Sequence, residues 1–315
     1  MNKFIFYWIL LILPMIYGCS IPQWDGTNWM AHIEDTNRIC KLSIPSTHDS
    51  GALSGGEFLQ TQDLTITEQL EKGIRGFDIR LKATQDSLLG VYHATQFQHT
   101  TWENDVFPAF ISFLNSHPSE MLIVSLKCEG GNRMAYNSLL SKSLTNPIFK
   151  NKIIQDFSPD LTLQKCRGKI LFIHRDKMTE NYPGALCLNW DDNTTCNVTL
   201  RGSNQQEATA SVEDEYQYSS VSEASYKSMT TLRNIQKSSE EPFESNKWFI
   251  SFASATALPK DGPKAFADII NPVIAGFLTE NLKNQGIVMI DFSGSQSGEK
   301  VIHQIIRSNF SQTDN

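Results

Sequence analysis

His48 and His93 are the residues whose chemistry is easiest to name. An imidazole titrates near pH 6.5, so one ring can take a proton and a second can give one close to neutrality. Each ring needs a partner that fixes its tautomer and stabilises the imidazolium, a place carboxylates commonly fill. Asp49, directly after His48, and Asp291, far along the chain, suit that role. Arg80 adds a fixed cation that can grip a phosphoryl oxygen through two N–H groups and offset charge developing there. Two histidines, two carboxylates and a guanidinium, without a metal-ligand cluster, suit cleavage of a phosphodiester by a hydroxyl of the same molecule.

Taken singly, each piece has a plainer explanation. His48 or His93 alone could be structural, and Arg80 with Asp78 could be an ordinary ion pair. Lys127 and Glu129 fall on one face of a strand of period two, as a surface pair also would. His32, His99, His117 and His303 read as surface or satisfied core residues, and His174 as packing within a strand.

The elements that must position these groups alternate. Strand-like runs cover 39–44, 74–81, 88–93, 121–127, 169–174, 210–216, 248–253 and 287–292. Helix-like patterning covers 67–72, 103–116, 133–143, 222–236 and 264–284, with Asn271-Pro272 expected to break the last. The polar segment 191–204 reads as a long loop. Strand then helix, repeated about eight times, is the signature of an α/β chain closed into a single, distorted (β/α)₈ TIM-type barrel. Nearly every strand ends in a chemically capable group: His48-Asp49, Asp78 with Arg80, His93, Lys127 with Glu129, Arg175, Asp214 with Tyr216, and Asp291. In such barrels the active site lies at the C-terminal ends of the strands. A buried unpaired charge costs several kcal/mol, so a ring of them there has a use beyond solubility.

The chain has 315 residues, 40% of them apolar, with 18 Phe and 6 Trp to fill a core. Residues 1–18 carry one basic residue, Lys3, then an apolar stretch over 4–16 and a small-residue exit, the pattern of a secretory signal peptide. That stretch is short for a membrane span, which needs about 20 apolar residues. Ile16-Tyr17-Gly18-Cys19 also resembles a lipobox, so the exported chain of 19–315 is either secreted or anchored as a lipoprotein through Cys19. Losing Lys3 moves the net charge from −7 to −8. An acidic protein of this kind is no natural partner for nucleic acid, and any membrane contact must be local. No cysteine pair has zinc-type CxxC spacing, while Cys187 and Cys196 could close a short disulfide.

Four segments then occur in order: Ser43-Ile44-Pro45-Ser46-Thr47-His48-Asp49-Ser50, Arg75-Gly76-Phe77-Asp78-Ile79-Arg80, Val91-Tyr92-His93, and the run from Ser119-Glu120 to Leu126-Lys127. Trp190-Asp191-Asp192, Glu213-Asp214-Glu215-Tyr216, the run from Phe249 to Ser254, and Ile290-Asp291-Phe292 follow. Together they resemble the X-domain of bacterial phosphatidylinositol-specific phospholipase C, over nearly all of the chain after residue 18.

The resemblance implies that His48, oriented by Asp291, is general base on the inositol 2-hydroxyl. It implies that His93, supported by Asp49, protonates the diacylglycerol oxygen, leaving inositol 1,2-cyclic phosphate, and that Arg80 sits beside the phosphate. A calcium ion takes that arginine's place in metal-dependent relatives, so no metal or other cofactor is expected. Lys127, Glu129, Arg175 and Asp214 would bond the inositol hydroxyls, Tyr216 would stack on the ring, and Trp190 and Asp192 would line the pocket. The substrate would be phosphatidylinositol or glycosyl-phosphatidylinositol in a membrane surface, met by a monomer.

Two departures stand out. Ala94 follows His93 where a glycine is common, and the rim loops offer Leu53, Phe58 and Leu258 where relatives carry tryptophan. Two rivals remain: a metal-dependent glycerophosphodiester phosphodiesterase, and a barrel that binds inositol lipids or glycans without cleaving them.

Overall fold

The computed structural model describes residues 25–178, 182–278 and 283–310. The proposed signal peptide and Cys19 lie outside the described residues. Eleven strands share one sheet: β1 (Ser43–Thr47), β2 (Gly76–Ala83), β3 (Leu89–His93), β4 (Gln96–Thr101), β5 (Leu122–Cys128), β6 (Ile170–His174), β7 (Ala185–Leu188), β8 (Thr195–Gly202), β9 (Glu207–Glu213), β10 (Trp248–Ala253) and β11 (Gly286–Ile290). The helices are α1 (Gly56–Leu59), α2 (Ile66–Glu71), α3 (Phe107–Ser116), α4 (Arg133–Leu144), α5 (Leu163–Cys166), α6 (Ala224–Glu240), α7 (Pro263–Phe277) and α8 (Gln296–Ser308).

The order β1-β11-β10-β9-β8-β7-β6-β5-β2 closes on itself through β1 and β2, so nine strands form the barrel wall. Eight are mutually parallel, and β8 alone runs against both its neighbours. Parallel strands covered on both faces need continuous apolar runs. Leu122-Ile123-Val124 and Ile170-Leu171-Phe172-Ile173 supply them and are buried throughout. Closure depends on Gly76, which stands opposite Ser46. A Cβ there would lie 1.9 Å from Ser46 Oγ, so any side chain would pry β1 from β2.

The barrel is TIM-type, as expected, but several expected elements differ. The third strand is no part of the wall: β3 and β4 form an antiparallel hairpin hung on the end of β2. Segment 191–204, expected as a loop, contains β8, an edge-to-edge filler paired through seven residues with β9. Residues 39–41 form a 3-10 turn ahead of β1 rather than its start. Among the described residues no helix lies in the connections from β6 to β9, two of which are hairpins. Helix α7 runs through Pro272 without breaking: the proline is exposed, so only one ladder bond on the solvent side is lost. Helix α8 was not expected, though Val301-Ile302 and Ile305-Ile306 mark its buried face and Ser295 caps it by accepting from Gly298 N–H.

The N-terminal end of the wall is closed by a buried plug. Arg75, just before β2, pairs with Glu120, just before β5, at 2.9 Å, and both side chains are fully buried. Arg75 also donates to the carbonyls of Gly26, Leu70 and Ile74 and packs on the Phe113 ring. This leaves the C-terminal strand ends as the open face.

Candidate active site

Every side chain singled out from the sequence comes from the open end or its hairpin. His48 and Asp49 follow β1, Asp78 and Arg80 lie on β2, and His93 ends β3. Lys127 lies on β5 with Glu129 just beyond it; Arg175 follows β6, Trp190 and Asp192 follow β7, Asp214 and Tyr216 follow β9, and Asp291 follows β11. The backbone turns left-handed at Asp49 (φ 40°), Ala94 (φ 51°) and Phe292 (φ 51°). These are strained for residues other than glycine, and each adjoins or is one of the chemical groups. Ala94, where glycine is common, bears that strain directly.

Arg80 is the centre of a continuous chain of contacts. His48 Nδ1 lies 2.8 Å from Asp291 Oδ1, and Arg80 Nη2 lies 2.7 Å from His48 Nε2. Arg80 Nη1 reaches to 3.3 Å of Asp49 Oδ2, which lies 3.6 Å from His93 Nε2. A guanidinium only donates, so His48 Nε2 must present its lone pair and Nδ1 must carry the proton given to Asp291. His93 Nδ1 donates to the Leu59 carbonyl at 2.7 Å. With Asp49 facing its other nitrogen, that ring meets an acceptor on each side.

Burial and the charge of Arg80 hold His48 well below the ordinary imidazole value of 6.5, so the ring is neutral and able to accept a proton. Burial and the neighbouring Asp49 charge push Asp291 well above the usual carboxylate range. Asp49 is raised chiefly by burial, against the pull of Arg80 and His93. Asp78 is also buried, but Arg80 and Arg175 outweigh that and keep it ionised. Burial works against the Arg80 cation, yet Asp49 and Asp78 more than compensate and fix its charge.

These groups open into a cavity of about 500 Å³, with His48, Arg80, His93 and Asp291 among its lining. Lys127, Glu129, Arg175, Asp192, Asp214 and Tyr216 line its other side. Lys127 and Glu129 are therefore cavity residues and not a plain surface pair; their charged atoms stand 3.8 Å apart. Burial, then Arg80 and Arg175, lower the Lys127 pKa. Arg175 bonds Asp214 at 3.2 Å, and the Tyr216 hydroxyl bonds both Asp192 oxygens at 3.1 Å.

Trp190 stands apart from the cavity wall. Its ring lies 3.9 Å under the Arg175 guanidinium and its indole N–H donates to Asp214 at 3.0 Å. It holds the pair that lines the cavity. The ion pair that Asp78 and Arg80 could form is present: Asp78 Oδ2 accepts from Arg80 Nε and Nη2 at 3.3 and 3.2 Å. The period-two spacing of Asp78 and Arg80 on one strand face was the signal for that. Gln217, Ser254 and Thr256 also line the cavity and were not expected.

His174 is buried packing, bonded to the Pro183 carbonyl. Cys187 and Cys196 are both free thiols: Cys187 pairs across β7–β8 with Leu200, four positions from Cys196, so the disulfide they could have closed does not form. Among the described residues, no group of three or more His, Cys, Asp or Glu is arranged to hold a metal ion.

The chain is similar to known proteins over most of its length. The family profile "Phosphatidylinositol-specific phospholipase C, X domain" matches residues 36–176, from just before β1 to just after β6. A Staphylococcus aureus protein named 1-phosphatidylinositol phosphodiesterase is 24% identical over 305 residues, covering 90% of this chain and 94% of that one. A Listeria monocytogenes protein of the same name is 27% identical over 290 residues, covering 87% and 83%. Among solved structures, a double mutant of the S. aureus phosphatidylinositol-specific phospholipase C superposes with a TM-score of 0.81 at 22% identity, over 92% of this chain and 98% of that one. The L. monocytogenes enzyme gives 0.72 at 24% identity, over 90% and 99%. Residues 36–176 thus match the phosphatidylinositol-specific phospholipase C X domain, and the named bacterial relatives are similar over nearly the whole chain.

Proposed function

We propose that this protein is a phosphatidylinositol-specific phospholipase C that splits its lipid into diacylglycerol and inositol 1,2-cyclic phosphate. The observation that carries the reading is the unbroken run of contacts Asp291–His48–Arg80–Asp49–His93 opening into one cavity. His48 Nε2 takes the proton of the inositol 2-hydroxyl as that oxygen attacks phosphorus, and Asp291 stabilises the imidazolium. The bond from phosphorus to the glyceryl oxygen breaks, and His93 gives that oxygen its proton. Arg80 N–H groups move from His48 Nε2 to the phosphoryl oxygens when the anion enters, which frees the base and neutralises the charge in one displacement.

Lys127, Glu129, Arg175, Asp192 and Asp214 are donors and acceptors in the number a polyol needs, and Tyr216 supplies the flat apolar surface. Trp190 contributes through Arg175 and Asp214. Phe58 and Leu258 line the cavity and are 38% and 51% exposed, a pair suited to touching the lipid surface. Residues 1–18 are a signal peptide and 19–315 the exported catalytic barrel, acting as a monomer on phosphatidylinositol or its glycosylated form and not on nucleic acid. Among the described residues no helix is long and apolar enough to cross a membrane. The reaction needs no metal, since Arg80 supplies the positive charge.

Phosphorus NMR of phosphatidylinositol turnover in excess EDTA tests this directly. A cyclic phosphate resonance, formed at the rate seen without chelator, is the expected result. An acyclic first product, or loss of turnover with EDTA, would overturn it.

A further inference from the structure

Residues 59–62 leave the cavity rim and pass under the strand ends that carry the chemistry. The Leu59 carbonyl accepts from His93 Nδ1 at 2.7 Å. Thr61 Oγ1 donates to the Asp49 carbonyl at 3.0 Å, and the Thr61 carbonyl accepts from Phe292 N–H at 2.7 Å. Gln62 is the most connected of the four. Its Nε2 donates to the His48 and Ile290 carbonyls, each at 2.9 Å, and its Oε1 accepts from Ser293 N–H at 3.3 Å.

The placement of Gln62 matters because of where the sheet stops. The ladder between β1 and β11 ends at Thr47 opposite Ile290, with His48 N–H bonding the Ile290 carbonyl as its last rung. Both His48 and Asp291 project at or beyond that rung, where strands ordinarily fray. The Gln62 carboxamide supplies the next rung, tying the carbonyl of His48 to the carbonyl of Ile290, which precedes Asp291. It is fully buried, as is Thr61, so these bonds form without competition from water.

We propose that residues 59–62 are a positioning strap for the reaction, with Gln62 as its anchor: one short segment holds the His48–Asp291 pair in register and fixes the ring orientation of His93. The inference rests on the phospholipase reading above and adds positioning residues to it. Leu59 lines the cavity, whereas Gln60, Thr61 and Gln62 lie outside its lining. The strap's effect is transmitted through the backbone of His48 and Asp49 and through the ring of His93.

The test uses the full chain with soluble inositol 1,2-cyclic phosphate, whose ring is opened by water to inositol 1-phosphate with the two histidines in exchanged roles, so that lipid docking is not read. In Gln62→Met the carboxamide is lost at similar volume. A misplacement of an ångström or less costs up to about a hundredfold, so kcat should fall roughly tenfold or more while KM stays within about twofold. The acid limb of the pH profile should rise, because His48 would no longer be held against Arg80. The other titratable and charged groups facing His48 are Asp78, Arg175, His93 and Asp291, and none of them is altered in this variant. Thr61→Val removes only the bond to the Asp49 carbonyl and should cost about two- to fivefold, on the same scale. A folded Gln62→Met with wild-type kcat and acid limb overturns the strap. If Gln62→Met does not fold, Thr61→Val decides, and wild-type kcat there overturns it. His48→Ala in the same assay tests the underlying reading separately: residual wild-type turnover would sink the catalytic assignment whatever the strap variants do.

Discussion

Charged groups sit at both ends of this barrel, buried to a similar degree, and they are treated in opposite ways. At the closed end Arg75 spends all its donors on Glu120 and three backbone carbonyls. Glu120 is bonded at both oxygens, by Ser119 on one and by Met30 N–H and Arg75 on the other. At the open end, both oxygens of Asp49, one each of Asp78, Asp291 and Glu129, and Arg175 Nη1 are buried without a hydrogen-bond partner among the described residues. A satisfied pair rigidifies, and an incompletely satisfied one carries a cost that a ligand of complementary charge relieves. The fold thus puts finished electrostatics where it needs stability and unfinished electrostatics where it needs binding.

The sharpest way to break this contrast is to remove a proton carrier. His48→Ala and His93→Ala should each lower turnover of phosphatidylinositol by about 10²–10⁴, with a melting temperature near that of the parent. Loss of stability without loss of rate would mean that the open end is structural after all.

The mirror-image variant comes next. Arg75→Met leaves Glu120 buried and unpaired, a change that costs about 3–5 kcal/mol of stability. Urea unfolding should show it. Specific activity of the folded fraction should stay close to that of the parent, because among the described residues none of the Arg75 side chain's partners lines the cavity.

Arg80→Gln should reduce kcat by about 10²–10³, the usual cost of a lost transition-state donor. Its pH signature is more telling. Burial and then Arg80 are the largest influences holding His48 below 6.5. Removing the cation makes protonation of His48 easier, so its pKa rises and the acid limb of kcat/KM moves to higher pH. An unmoved limb would separate Arg80 from His48.

How far the sequence disclosed this contrast depends on the range of the interactions involved. The strand-end groups were legible because each lies on or just past an apolar run of barrel type, and Asp78 with Arg80 repeats at the period of a strand. The β3–β4 hairpin was hidden because its turn begins at Ala94, at φ 51°, without the glycine or asparagine that marks such turns. Strand β8 was hidden because one of its faces is exposed and polar, in a segment dense with Asn and Asp. Thr195, Asn197 and Thr199 nonetheless alternate with Cys196, Val198 and Leu200, which was the available signal. The bonds of Gln62 to His48 and Ile290 span 14 and 228 positions, and no local pattern encodes them. Nor could spacing alone tell that Trp190 would lie beneath Arg175 and not in the wall.

Lys127 offers the smallest effect and the cleanest refinement. Burial, reinforced by the like charges of Arg80 and Arg175, lowers its pKa below 10.5, so the ammonium is held in the substrate-free protein at a cost. Lys127→Met should therefore raise stability modestly, by roughly 0.5–1 kcal/mol, as replacements that relieve a functional site commonly do. The sign with pH follows. A lysine whose folded pKa is depressed penalises the fold fully below that pKa, and the penalty disappears as pH climbs toward the unfolded value of 10.5. The gain of Lys127→Met over the parent should thus be largest near neutrality and close at alkaline pH in paired thermal melts. The same variant should bind soluble inositol phosphates about tenfold more weakly, the loss of one charge-assisted hydrogen bond. If it were less stable than the parent at pH 7, Lys127 would belong with Arg75 among the finished charges, and the division between the two ends would have to be drawn elsewhere.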